Sequence, residues 1–221
     1  MADFQKIKAV LFDLDGTLLD TIPDIGAGAN AALRRFGLQE RSLEEYVALV
    51  GNGIRVLIRQ AVPEGTDEET YQNVLSYYLS YYPEHCTERT KFYPGIEEAV
   101  RKIADAGYVL GVISNKTERT AERVMAHFFP NTKFAILWGN NGERPLKPAR
   151  EAGDLACREL NLKPEEILFV GDGDTDMEFA SSMGFYALGV SWGNRSREQL
   201  MASGADQIID TAEEMTELLG L

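Results

Sequence analysis

Four apolar residues with no polar interruption, Ala9-Val10-Leu11-Phe12, run directly into Asp13-Leu14-Asp15-Gly16. A strand with one wet face alternates polar and apolar residues. A run without alternation belongs to a strand covered on both faces, which is the condition of a parallel sheet between helical layers. The stretch therefore predicts a central strand that delivers two carboxylates to the carboxyl edge of a sheet, where open parallel sheets bind their ligands. Gly16 lets the chain turn sharply there. Residues i and i+2 of an extended chain point the same way, so Asp13 and Asp15 can face one small ligand if the extension persists through Asp15. Carboxylates so placed serve as metal ligands, covalent nucleophiles or proton carriers. The competing reading of the stretch by itself is a solvated Asp-Gly turn.

After Thr21 the period changes. Ile22, Ile25, Ala29, Ala32, Leu33 and Phe36 mark one helical face, and Gly37 sits where a helix-ending glycine belongs. Ser42 with Glu45 forms a capping box for a second helix. Ile54, Leu57, Ile58, Ala61 and Val62 trace a third, and Tyr71, Val74, Leu75, Tyr78, Leu79 and Tyr82 a fourth behind a capping box of Thr66 and Glu69. These residues describe an all-helical unit inserted after the first strand. It ends in a polar linker, Glu84 to Lys91, before Tyr93-Pro94-Gly95.

Beyond the linker, helices alternate with short apolar strands, the signature of a parallel sheet. The strands read as Tyr108 to Ser114, Phe134 to Trp138, Ile167 to Val170, Tyr186 to Val190 and Gln207 to Ile209. The helices between and after them read as Ile96 to Ala106, Thr117 to Phe128, Ala149 to Leu160, Asp174 to Met183, Arg195 to Ser203 and a last one capped by Thr211 and Glu214.

Three polar clusters follow these strands. Ser114-Asn115-Lys116 precedes a helix whose first turn offers free N–H groups, an anion cradle or a plain N-cap. Leu146-Lys147-Pro148 holds a lysine just ahead of a helix, which in isolation reads as a solvated loop. Gly171-Asp172-Gly173-Asp174-Thr175-Asp176 puts three acids within five residues after a buried strand, which suits a hard divalent cation with oxygen ligands. An EF-hand loop is excluded, because the bidentate Glu at its twelfth position is missing and Gly184 stands near that place. Asp174 reads as a helix-start residue, the alternative being a further metal ligand.

Taken together, Asp13-Leu14-Asp15-Gly16-Thr17-Leu18 with Asp20-Thr21, then Ser114, Lys147-Pro148 and the Asp172 to Asp176 cluster resemble, in order, the four motifs of the haloacid dehalogenase-like hydrolases. Most members of that family are magnesium-dependent phosphatases. Asn115-Lys116 resembles the pair found in the phosphoglycolate phosphatase-like branch, while the segment after Lys147-Pro148 departs from the family's usual pattern, Arg150 standing where a second proline is common. The resemblance spans nearly the whole chain. It implies an α/β fold with a Rossmann-like parallel core, residues 1–17 and 91–221, and a helical cap, residues 18–90, hinged at residues 18–21 and 89–94.

For the site, the resemblance implies that Asp13 attacks phosphorus and Asp15 acts as general acid and base. Ser114 hydrogen-bonds the phosphoryl group, and Lys147 neutralises charge. Mg2+ is expected at Asp13, the Asp15 main-chain carbonyl and Asp172, with Asp176 completing the metal site by orienting metal-bound water or Lys147. Thr17 and Asn115 join the expected substrate-binding set. The loop Gly51-Asn52-Gly53, with Arg55 one turn on, resembles the cap loop facing the leaving group. Arg55 is thus expected to pair a carboxylate or second phosphate, the alternative being a helix–helix turn with a solvated arginine.

Composition limits the partners. A net charge of -13 over 221 residues argues against nucleic acid backbone and anionic membrane surfaces, both of which want clustered Lys and Arg. The expected partner is a small phosphorylated metabolite, with the chain a monomer or homodimer. Cys86 and Cys157 are too few for a disulfide framework and read as free thiols. Residues 1–8 lack the pattern of a signal peptide, which leads to a cytoplasmic expectation. His85 beside Cys86 makes a poor metal site, and His127 beside Phe128 and Phe129 reads as structural.

The expected activity is hydrolysis of a small phosphate monoester through an aspartyl-phosphate, phosphoglycolate phosphatase-like. The alternative is a phosphomutase of the β-phosphoglucomutase kind, which shares every motif. A non-hydrolytic phospho-acceptor signalling module is disfavoured by the large helical insert and by Asp15, and a silent scaffold by the complete set of motif residues.

Overall fold

A computed structural model describes residues 4–221. The first three residues of the segment read as lacking a signal peptide lie outside the described residues. Strand β1 (Ala9–Phe12) is fully buried, as its uninterrupted apolar run requires. Val10 and Phe12 enter one hydrophobic cluster while Ala9 and Leu11 enter the other, on the opposite face of the sheet. The chain then makes a short strand, β2 (Leu19–Asp20), and four helices: α1 (Ile22–Arg35), α2 (Leu43–Leu49), α3 (Ile54–Ala61) and α4 (Glu68–His85). Strand β3 (Lys91–Phe92) returns from them.

The remainder alternates: α5 (Ile96–Asp105), β4 (Val109–Thr117), α6 (Glu118–Phe128), β5 (Ile136–Asn140), α7 (Arg150–Leu160), β6 (Ile167–Gly171), α8 (Asp174–Met183), β7 (Tyr186–Val190), α9 (Arg197–Ala202), β8 (Gln207–Ile209) and α10 (Ala212–Leu218). Six strands form one parallel sheet in the order β5-β4-β1-β6-β7-β8. Phe12 stands opposite Val112 of β4 and Val170 of β6. The residues that follow these three strands are therefore neighbours at one edge, and the order of connection reverses at β1, where such sheets hold their ligands.

Both connectors to the helical group are more ordered than a polar linker suggests. β2 pairs antiparallel with β3, Leu19 opposite Phe92 and Asp20 opposite Lys91. Asp24, in the first turn of α1 and 2 % exposed, accepts hydrogen bonds from the main-chain N–H of Arg89 (3.0 Å) and Thr90 (2.9 Å) and from the Thr90 hydroxyl (2.8 Å). One carboxylate thus ties the start of the first helix to the end of the last connector, which satisfies a buried charge with hydrogen-bond donors.

Several element boundaries differ from expectation for local reasons. The Ser42–Glu45 capping box forms, but α4 is capped by Asp67, which accepts from Thr70 N–H at 2.9 Å. Thr66 instead donates its hydroxyl to the Pro63 carbonyl at 2.7 Å and cannot serve as the cap. Helix α4 runs through Pro83 to His85, beyond the expected end at Tyr82. Strand β4 continues to Thr117 because Asn140 of β5 pairs with Thr117 after a register shift. Helix α9 begins at Arg197 behind a Ser196–Gln199 capping box, which leaves Arg195 free of the helix. Cys86 is buried and Cys157 half-buried, both unpaired. His85 stacks on Tyr81 and meets Glu88, and His127 lies edge-on to Phe128. Among the described residues no helix is long and apolar enough to cross a membrane.

Candidate active site

The carboxyl ends of β1, β4 and β6, with the loop after β5, bring Asp13, Ser114, Lys147 and the Asp172 to Asp176 turn to one cleft of about 260 Å3. Its opposite wall comes from the helical group: Ile25, the loop 50–54, Leu57, Tyr78 and Tyr82. One oxygen from each of Asp13, Asp172 and Asp176 lies within 4.8 Å of the others, and all three residues are buried. They form a cluster of hard oxygen donors at the floor of the cleft.

Each carboxylate is held by different means. Lys147 Nζ donates to Asp13 Oδ1 and Asp176 Oδ1, both at 2.7 Å. Asp176 Oδ2 accepts from Gly173 N–H at 2.9 Å. Asp172 Oδ1 accepts from the Thr17 hydroxyl at 3.0 Å, and its Oδ2 accepts from Asn194 N–H at 2.7 Å. Backbone glycines make the room. Gly16 adopts φ +90°, and a Cβ there would stand 2.2 Å from Asp172 Oδ2; one on Gly193 would stand 2.2 Å from Asp172 Cβ.

One lysine cannot balance three buried carboxylates. Burial first, and then the neighbouring Asp176 and Asp15, raise the Asp13 carboxyl to about 6 despite Lys147. Burial and the charges of Asp176 and Asp13 raise Asp172 to about 8. Burial by itself would lower the Lys147 ammonium, but Asp13 and Asp176 outweigh it and hold it above its ordinary value. Excess negative charge on hard oxygens is the condition a hard divalent cation relieves, so the donor set fits an ion of that kind.

Asp15 does not join the cluster through its carboxylate. The strand ends at Phe12, and the turn at Gly16 sends the Asp15 side chain toward the helical group. Its Oδ1 accepts from Lys116 Nζ at 2.8 Å and from the Thr21 hydroxyl at 2.7 Å. Lys116 Nζ also donates to the Tyr82 hydroxyl of α4 at 2.8 Å. The two acids thus point to different partners at one cleft, Asp13 to its floor and Asp15 to its side.

Three residues expected to meet substrate have other partners or positions in the structure. Thr17 is fully buried, does not line the cleft, and holds Asp172. Asn115 lines the cleft, but its amide is taken by main chain: Nδ2 donates to the carbonyls of Gly51 and Lys147, both at 3.0 Å, and Oδ1 accepts from Lys147 N–H at 2.9 Å. It sets the position of Lys147 and reaches the loop after α2. Arg55 is exposed on the first turn of α3 and does not line the cleft, although Gly51, Asn52 and Gly53 do. Ser114 faces the cleft, accepting from Lys116 N–H at 3.3 Å while its own O–H can donate inward.

Sequence reasoning missed Lys116 as a partner of Asp15 and missed the segment 192–195. Trp192 Nε1 donates to the Thr17 carbonyl at 3.1 Å. Arg195 lines the cleft, donates to the carbonyls of Val47 (3.3 Å) and Val50 (3.2 Å) across it, and points Nε at Asp174 Oδ2 at 3.4 Å. The bare Gly193-Asn194 dipeptide after β7 reads as an ordinary turn, and nothing in it signals a carboxylate more than twenty residues upstream.

A family model described as haloacid dehalogenase-like hydrolase matches residues 10–190. The chain is 28% identical over 221 residues to a phosphoglycolate phosphatase of Haemophilus influenzae, covering 97% of this chain and 99% of that one. It is 33% identical over 216 residues to the N-acetylmuramic acid 6-phosphate phosphatase of Pseudomonas aeruginosa, covering 97% and 96%. Among solved structures, a predicted phosphoglycolate phosphatase from Haemophilus somnus superposes with a TM-score of 0.90 at 27% identity, covering 96% of this chain and 98% of that chain.

Proposed function

This chain belongs to the haloacid dehalogenase-like hydrolases, and from that premise we propose that it hydrolyses a small phosphate monoester through a phosphoryl group carried transiently on Asp13, with Mg2+ as cofactor and helices α1 to α4 as a cap over the cleft. The relatives named above are phosphatases of small phosphorylated compounds, which supports that class of reaction. The single observation that carries it is the separation of Asp13 from Asp15: one carboxylate sits in the buried oxygen cluster beside Lys147, the other beside it on a different set of partners.

Asp13, Asp172 and Asp176 would hold the ion, with the main-chain carbonyl of Asp15 as the expected fourth donor. When bound, it supplies positive charge that lets an anionic nucleophile approach an anionic ester. The rest is done by this chain's own side chains. An Asp13 oxygen attacks phosphorus, and the ester P–O bond breaks in line with it. Lys147 and the Ser114 hydroxyl hold the equatorial oxygens, so positioning and electrostatics dominate. Asp15 gives its proton to the departing alcohol oxygen, then takes one from the water that attacks phosphorus. The Asp13–phosphorus bond breaks, and Asp13 and inorganic phosphate are released.

Cap and core meet at the Asp20–Lys91 ribbon and at the hydrogen bond from Lys116 to the Tyr82 hydroxyl. Closure over substrate would exclude water during the first step and admit one molecule for the second. A phosphomutase uses the same first step and returns the phosphoryl to an alcohol. Phosphate release from an ester panel, with Mg2+ or EDTA, on the native chain and on Asp13→Asn tests the proposal. Release that needs Mg2+ and falls about 10³-fold or more in the variant is expected, and release with full activity in Asp13→Asn contradicts it.

A further inference from the structure

The leaving-group half of the cleft offers no charge to a second anion. The side chains that the helical group contributes there are Ile25, Val50, Ile54, Leu57, Tyr78 and Tyr82, with the uncharged loop Gly51-Asn52-Gly53 beside them. Tyr78 and Tyr82 stack on one another, ring centroids 5.0 Å apart and 22° from parallel, and form an aromatic wall. Arg55, the one cation of the helical group expected to face substrate, lies outside.

The cations that do line the cleft are Lys116, Lys147 and Arg195, and each is committed. Lys147 lies between Asp13 and Asp176 and is the group that meets the phosphoryl oxygens. Lys116 spends its donors on Asp15 and the Tyr82 hydroxyl. Arg195 spends its guanidinium on Asp174 and on the carbonyls of Val47, Val50 and Asn194. Against these three stand six carboxylates of the same lining: Asp13, Asp15, Asp172, Asp174, Asp176 and Glu178. A divalent cation at the cluster would still leave the wall net negative. Asp174 Oδ1, shielded from water, has no donor at all.

A monoester already brings the phosphoryl dianion into this field. A second carboxylate or phosphate on the leaving group would lose its hydration with no free cation to replace it, at a cost that binding of its carbon skeleton does not offset. A hydroxylated, uncharged leaving group meets no such barrier. Its C–H face packs on Tyr78 and Tyr82, and its hydroxyls exchange hydrogen bonds with the Asn52 side chain.

We propose that the cleft selects monoesters of uncharged, hydroxylated alcohols, the sugar or polyol phosphates, and discriminates against monoesters carrying a second anion. This rests on the phosphatase reading above. It also separates this chain from what the names of its Haemophilus influenzae and Pseudomonas aeruginosa relatives say those proteins act on, since phosphoglycolate and N-acetylmuramic acid 6-phosphate each carry a carboxylate besides their ester.

The test uses matched pairs on the native chain with Mg2+. 2-Hydroxyethyl phosphate and 2-phosphoglycolate differ by one CH2OH-to-carboxylate change, as do glucitol 6-phosphate and 6-phosphogluconate; a chromogenic aryl phosphate serves as the common reference. Higher kcat/KM for the neutral member of each pair, by about tenfold or more, is expected. Asn52→Lys, at an exposed position on the rim, should narrow that ratio by lowering KM for the carboxylate member. Equal or greater kcat/KM for the carboxylate members, or a ratio unmoved in Asn52→Lys, overturns the proposal. With the aryl phosphate still hydrolysed in those cases, the phosphatase reading stands. Release from no ester at all overturns both together.

Discussion

Lys116 Nζ lies 2.8 Å from Asp15 Oδ1 and 3.1 Å from its Oδ2, with the lysine buried and the carboxylate largely shielded from water. The same ammonium holds the Tyr82 hydroxyl of α4 at 2.8 Å. One core lysine therefore fixes the proposed proton carrier and grips the helical wall of the cleft. Lys116→Ala is expected to lower kcat by about ten- to a hundredfold while leaving KM closer to native, because it misplaces Asp15 more than it removes a substrate contact. It should also destabilise the fold by about 3 kcal/mol, since Asp15 is left partly buried without its cation. Tyr82→Phe keeps the ring and loses only the hydroxyl, so it should fold like the native chain and show a fall in kcat of less than about tenfold. Steady-state kinetics with a urea unfolding curve for each variant check both statements.

Asn115 acts on the site through main chain. Replacing it with Ala removes its bonds to the Lys147 carbonyl, the Lys147 N–H and the Gly51 carbonyl. At about 1 kcal/mol each, the loss of stability should approach 2 to 3 kcal/mol. Lys147 then loses its fixed position between Asp13 and Asp176, so kcat should fall even where the variant is fully folded. Kinetics at a temperature well below the variant's Tm separate the two effects.

Gly193 has its value in what it lacks. A methyl there would press on Asp172, the carboxylate held by Thr17 and by Asn194 N–H. Gly193→Ala should raise the Mg2+ concentration needed for half-maximal activity by about tenfold or more while far-ultraviolet circular dichroism stays native. Thr17→Val should act in the same direction more mildly, since it removes one hydrogen bond and no space. Titrating activity with Mg2+ for both variants checks the order.

Metal-free stability should depend on pH in an unusual direction. Asp13 and Asp172 stand raised to about 6 and about 8 by burial and by neighbouring acids, against about 4 in an unfolded chain. Between pH 4 and 8 the folded chain therefore holds more protons at these sites than the unfolded one, and their contribution to stability is full below about pH 4 and is lost as pH rises through 6 and 8. In EDTA, Tm should fall across that window. The proposed Mg2+ would bind the ionised carboxylates, so its stabilising effect should be small at pH 5 and large at pH 8. Thermal unfolding at both pH values, with and without Mg2+, checks the sign.

What the sequence made legible was what neighbours along the chain decide. The uninterrupted run Ala9–Phe12 announced a doubly covered strand, and the polar residues that end β1, β4 and β6 fall together because parallel strands align their ends. Ser42 capped its helix where its spacing to Glu45 indicated. What stayed hidden depends on contacts between distant segments. Thr17 carries no local sign that it faces Asp172 and not the cleft, nor Arg195 that it reaches the carbonyls of Val47 and Val50. Arg55 and Leu57 differ only by helical rotation, and that rotation puts Leu57 on the cleft wall and Arg55 in water. The choice between Thr66 and Asp67 as a cap was settled by the Pro63 carbonyl, which takes the Thr66 hydroxyl.

The measurement that bears most directly on the central claim is chemical trapping of the phosphoryl group on the chain. Turnover with a hydrolysed monoester and Mg2+ is quenched in acid and reduced with borohydride, which converts an aspartyl phosphate to homoserine, and the peptide holding residues 9–21 is read by mass spectrometry. Homoserine at position 13, appearing only with substrate and absent from Asp13→Asn, is the predicted result. Homoserine at Asp15 or elsewhere, or undiminished hydrolysis by Asp13→Asn, would contradict the assignment of Asp13 as the nucleophile.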